Sequence, residues 1–155
     1  MKTTLITLSI VAFAFSANAQ KIKSEEVPAA VKSKQASLYP NAKVEKWEKE
    51  DGNYEAEFDN GKVETSTLFD ASGNLLATET EIATSSLPAA VSEYVTKNLA
   101  GKKIKEASKI VDSKNTVTYE AEVDEVDYIF DANGAFLKKE VEKDNDNDDE
   151  KEGKK

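Results

Sequence analysis

Three short landmarks recur in the same order along this chain, and a repeat constrains a fold more tightly than any single residue does. Pro28-Ala29-Ala30-Val31 returns as Pro88-Ala89-Ala90-Val91, the run "YEAEF" from Tyr54 to Phe58 returns as "YEAEV" from Tyr119 to Val123, and "LFDASG" from Leu68 to Gly73 returns as "IFDANG" from Ile129 to Gly134. The halves differ in length only in turn-like stretches, which tolerate insertion. A unit of about 60 residues has a marginal core alone, so two units sharing a core is the economical expectation.

Each half reads alike. Val27 and Val31 with Leu38, then Leu87, Val91, Val95 and Leu99, give two short amphipathic helices. Pro28 and Pro88 suit the first helical turn, where a missing N–H costs nothing, and Pro40 and Gly101 suit the stops. The period then becomes two. Tyr54, Ala56 and Phe58 share one strand face and Glu55 and Glu57 the other, as Val117, Tyr119, Ala121 and Val123 oppose Glu120 and Glu122. The Asp70–Gly73 and Asp131–Gly134 stretches read as hairpin turns, followed by last strands in "LLATETEI" and "AFLKKEV". In "AKVEKWEKE" Val44 and Trp47 have opposite parity, which either a bulge or an exposed Trp47 resolves. The fold class is α+β: an amphipathic helix followed by three or four antiparallel strands, used in tandem, with the helices on one face of the sheet. The expected core is Val31, Leu38, Tyr54 and Phe58 in the first unit and Val91, Leu99, Tyr119 and Val123 in the second.

The ends read differently. Met1 to Ala19 combines Lys2, an apolar run from Leu5 to Phe15 and small residues at Ala17 and Ala19, the pattern of a secretory signal cleaved between Ala19 and Gln20. That run is about half of the roughly 20 apolar residues a membrane span needs. From Lys143 to Lys155 the chain is nearly all charge and amide, so a solvated, disordered tail is expected. Its Asp144, Asp146 and Asp148 alternate as in a calcium loop, but Asp149 and Lys155 stand where that loop needs Gly and Glu. The boundaries are therefore 1–19 for the signal, 20–82 and 83–142 for the two units, and 143–155 for the tail.

Composition closes chemical routes. The formal charge is −9, which disfavours nucleic acid and anionic surfaces as partners. The chain has neither Cys nor His, and all of its basic residues are Lys. Thiolate and His-based nucleophilic chemistry, finger-type zinc sites and bidentate Arg clamps are thereby excluded. No cofactor is expected, and no G-x-S-x-G, S-x-x-K or phosphate-loop motif is present.

The Pro-containing helix ending near "YPNAKV", the Tyr-Glu-x-x-Phe strand and the Phe-Asp-x-x-Gly hairpin, all behind an export signal, resemble the PepSY-like domains described as β-lactamase-inhibitor-like. The resemblance covers Val27 to about Glu142 in both halves. The second half departs from it at "LAGKKI", and it lacks the Asn60-Gly61 signal that follows the first "YEAE" run. What the resemblance implies is a non-enzymatic protein of the periplasm or cell exterior that binds or inhibits an envelope protein. On the residues themselves, Glu55, Glu57, Glu120 and Glu122 on an open sheet face, with Trp47 as a nearby aromatic anchor, are the candidate partner-binding set. Two alternatives use the same acids: a hydrolase working through paired carboxylates, and a divalent-cation site. Solubilising glutamates on an exposed sheet are the plain structural reading.

Overall fold

The computed structural model describes residues 19–141; residues 1–18 of the expected signal segment and the acidic tail expected from Lys143 lie outside the described residues. Strand β1 (Gln20–Ile22) comes first, then helix α1 (Ala29–Leu38) and strands β2 (Val44–Glu50), β3 (Asn53–Asn60), β4 (Val63–Phe69) and β5 (Leu75–Glu81). Helix α2 (Ala89–Asn98) and strands β6 (Glu106–Asp112), β7 (Val117–Glu122), β8 (Val126–Asp131) and β9 (Phe136–Val141) follow. A single 3-10 turn precedes each helix, at Ser24–Glu26 and Thr84–Ser86. Pro28 and Pro88 sit at the N-caps, one residue before the helical run.

The nine strands form one antiparallel sheet in strict chain order. Direct cross-strand partners share a face, so the sides can be traced residue by residue. One line runs Phe58, Thr65, Thr80, Lys109, Tyr119, Phe130. Its first member packs under α1 with Val27, Val31, Trp47, Tyr54, Ala56 and Phe69. Its last packs under α2 with Leu87, Val91, Val95, Ala121 and Tyr128. Both helices therefore cover the same side of the sheet. Full burial of Val31 and Val91 stabilises by about 1.5–3 kcal/mol each.

The turns follow from their sequences. Asp70 Oδ1 accepts from the backbone N–H of Ser72 and Asn74, and Asp131 Oδ1 accepts from those of Asn133 and Ala135. Gly73 and Gly134 take the left-handed conformation that closes each loop, at φ of 84° and 82°.

Several local expectations change. Leu38 is 38% exposed: the helix ends on it, and the inward stripe is Val27, Val31, Gln35 and then Tyr39, whose ring lies 4.6 Å from that of Phe58. Leu99 and Tyr119 only flank their core, half-buried. The apolar residues under the two helices form separate clusters rather than one shared core, the first drawn from strands β1 to β5 and the second from β6 to β8. A bulge between Val44 and Lys46 resolves the parity conflict in β2 and turns Trp47 inward. Lastly, β1 pairs Ile22 with Trp47, a strand too short to announce itself by periodicity. Among the described residues no helix is long and apolar enough to cross a membrane.

Candidate functional site

The side of the sheet without helices carries the glutamates singled out by the sequence. One partner line on it runs Glu48, Glu55, Leu68, Ala77, and the next runs Lys46, Glu57, Ser66, Glu79, Ile110. A third runs Glu81, Ser108, Glu120, Ile129, Lys138, and a fourth Glu106, Glu122, Asp127, Glu140. Glu55, Glu57, Glu120 and Glu122 thus share this face, on β3 in the first half and β7 in the second. The pleat guarantees this once Tyr54 and Tyr119 point to the helices.

Their surroundings differ from those of ordinary surface acids. Glu55 is only 8% exposed. Burial pushes its carboxyl up to about 8; the Ser66 hydrogen bond opposes that rise, and the charges of Glu79, Glu57 and Glu48 add to it. Carboxylate oxygens of Glu48, Glu55 and Glu57 lie within 4.8 Å of one another. The Lys46 ammonium bridges two of them, 3.0 Å from Glu48 and 2.9 Å from Glu57. Partial burial would lower the pKa of Lys46, but the hydrogen bonds and charges of Glu57 and Glu48 outweigh it and raise the group to about 12. Burial also raises Glu57, against the pull of Lys46.

In the second half Lys105 Nζ donates to Glu122 at 3.2 Å, and Lys138 pairs with Glu140 through one carboxylate oxygen. The other oxygen of Glu140, Oε2, is buried and meets no donor among the described residues. Between the acid rows an apolar cluster of Leu68, Ala77 and Ile110 is buried, and among the described residues no helix covers it.

Trp47 does not join this surface. It is 8% exposed on the helix side, in the core under α1, where it borders a cleft of about 380 Å³ with Gln35, Tyr39 and Ile22. Ala19 and Gln20 lie at the edge of the sheet, Gln20 opening β1 opposite Lys49. Sequence reasoning missed Glu48, Glu79, Asp127, Glu140 and the apolar cluster. Their signal was present in the alternation of "LLATETE" and "VDYIF", but it becomes legible only when the strand registers align them.

Chemically, the arrangement offers hydrogen-bond acceptors, negative charge and a few apolar side chains on an extended surface. Glu55 and Glu57 do not line the cleft beside Trp47, and a catalytic carboxylate pair needs a partly dry concavity to separate its pKa values. A divalent ion at Glu48, Glu55 and Glu57 would compete with the ammonium already bridging two of the three.

Comparison with known proteins places these features in context. The profile of a family described as "Putative beta-lactamase-inhibitor-like, PepSY-like" matches residues 14–77 and 52–138. A BLIP-like protein from Bacteroides fragilis superposes with a TM-score of 0.57 at 27% identity, covering 73% of this chain and 85% of that one. One of the "putative periplasmic proteins" of Bacteroides eggerthii gives a TM-score of 0.64 at 17% identity over 74% of this chain and 88% of its own. A DUF2874 family protein from Bacteroides uniformis gives 0.63 at 20%, covering 73% and 88%. The latter two share the fold. No curated protein matches.

Proposed function

The chain belongs to the PepSY-like, β-lactamase-inhibitor-like family, and from that premise we propose that it is an exported, non-enzymatic binding module whose helix-free sheet face docks another protein of the cell envelope. The observation that carries this reading is the Leu68–Ala77–Ile110 cluster, which no helix among the described residues covers and which is set among Glu55, Glu57, Glu79 and Glu120. Protein interfaces combine an apolar centre with a polar rim in this manner. The architecture reads as two copies of one unit, a helix followed by four strands, at 20–82 and 83–142, with β1 added ahead of the first helix, and the copies are joined through β5 and β6, so that neither alone presents the whole face. Export to the periplasm or beyond fits the signal-like start of the sequence and the description of the Bacteroides eggerthii relative.

The reading is tested by placing a photo-crosslinking residue at Ser66 or Ser108 on the helix-free face and at Glu93 on α2, then irradiating cells. A specific adduct from the first two positions and none from the third supports it. Adducts only from the helix position, or none from the sheet positions, would sink it.

A further inference from the structure

The two helix-covered cores correspond position by position, and they part company at one place. Trp47, Ala56 and Thr67 are successive cross-strand partners in the first half, as Ala107, Ala121 and Tyr128 are in the second. On the helix above, Gln35 stands as far after Pro28 as Val95 does after Pro88. In the second half Val95, Ala121 and Tyr128 belong to one apolar cluster. In the first half the large ring has moved out to β2, next to the edge strand, and Gln35 meets Thr67 through a hydrogen bond of 2.8 Å.

That exchange leaves a polar group unanswered. Gln35 is 3% exposed, its Oε1 is taken by the Thr67 hydroxyl, and its Nε2 meets no acceptor among the described residues. Turning the amide over would only exchange which of its two polar atoms lacks a partner. Gln35 also forms part of the wall of the cleft of about 380 Å³ between α1 and the β1–β2 edge, together with Ile22, Ala36, Tyr39, Val44 and Trp47. An apolar concavity of this size with a single buried polar group is the usual form of a small-molecule site. Its cations are engaged elsewhere. Lys32 Nζ donates to the Ser24 carbonyl at 2.9 Å, and Lys46 is held between Glu48 and Glu57. Lys21 pairs with Glu48, on the helix-free side. The cleft therefore offers an anion no clamp.

We infer that the cleft between α1 and the β1–β2 edge is a binding site for a small uncharged molecule that joins an apolar ring to an amide or similar carbonyl group. The ring packs against Trp47 and Tyr39, and the carbonyl accepts from the Gln35 amide, which is otherwise left without an acceptor. The site lies on the opposite side of the sheet from the proposed docking face and is independent of it.

N-benzylacetamide, a ring with an uncharged amide, and benzyltrimethylammonium, a ring of similar bulk with no acceptor, test this on the purified chain. Trp47 is the only tryptophan, so its fluorescence and indole N–H resonance report on the cleft directly. N-benzylacetamide should give saturable shifts at Ile22, Gln35, Tyr39 and Trp47, and the cation none there, although the net charge of −9 favours the cation. Gln35→Leu/Thr67→Val should weaken the amide about fivefold or more, as loss of one hydrogen bond in a dry site does. Ala36→Phe, at an exposed position of α1 that borders the cleft, should fold normally and block binding by filling it. Should the double variant misfold by circular dichroism, Ala36→Phe and the two probes on the parent chain decide the matter. No saturable shift at the cleft, equal response to both probes, or an affinity unchanged in the folded variants would overturn the inference.

Discussion

Gly73 lies against the backbone of Ala30, so close that a Cβ on the glycine would stand 2.8 Å from the Ala30 carbonyl oxygen and 2.9 Å from its carbon. The Asp-x-x-Gly turn and the Pro-Ala-Ala helix start therefore touch, and Gly134 repeats the relation against Ala90 and Pro88. Gly73→Ala should cost about 2–4 kcal/mol, combining a left-handed φ with a clash against backbone. At Gly61, where nothing lies within 4 Å, the same change should cost only about 1 kcal/mol, from φ alone. Urea titration of the two variants measures the difference; equal losses would mean that the helix shifts away from Gly73 at little cost.

Gln35 and Thr67 form a buried polar pair, the Thr67 hydroxyl donating to Gln35 Oε1 at 2.8 Å while Gln35 Nε2 meets no acceptor among the described residues. Either Gln35→Leu or Thr67→Val alone should cost about 1–3 kcal/mol by orphaning the other partner. Made together, they should be nearly neutral or stabilising. A double-mutant cycle checks this, and simple additivity would show that the pair is not coupled.

Glu55 gives stability a pH slope of stated sign. Its pKa in the folded protein is about 8 against an ordinary 4.5, so between those values the folded state holds a proton that the unfolded state has lost. The stabilisation is full below pH 4.5 and declines as pH rises towards 8. Glu55→Gln, neutral throughout and still able to bond Ser66, should flatten that decline. Urea midpoints at about pH 5, 7 and 9 test it; parallel pH profiles for variant and parent would contradict the buried carboxyl.

Helix positions of similar hydrophobicity should differ sharply. Val91→Ala, at a fully buried site, should cost about 2–3 kcal/mol, whereas Leu38→Ala at the exposed end of α1 should cost less than about 1 kcal/mol despite removing more carbon. Thermal melts of both variants provide the comparison.

Local patterns made the face assignment of Glu55, Glu57, Glu120 and Glu122 readable, because strand parity needs only the chain itself. The same is true of the Asp70 and Asp131 turns, whose hydrogen bonds stay within a few residues. The burial of Glu55 was not readable: it depends on Leu68 and Glu79, which reach it only after β3, β4 and β5 have found their registers. Leu38 and Gln35 illustrate a second limit. Both fit the inward side of α1, and hydrophobicity favoured the leucine, but the helix ends on Leu38 while Gln35 finds a hydroxyl on β4. Asp112 Oδ1 likewise accepts from the backbone N–H of Lys114 and Thr116, but this third turn carries no glycine signal, because Asn115, with φ of 63°, stands where the other two loops have glycine.

The unbroken order of the sheet, each strand paired with the one before it, also bears on how the chain acquires its shape. Six of the eight pairings join strands linked by a short turn, and only β1 with β2 and β5 with β6 close across a helix, so loop-closure costs remain small for most of the sheet. A chain emerging N-terminus first could add one hairpin at a time to an edge already in place, keeping the interval during which that edge stands bare as short as the next strand takes to arrive.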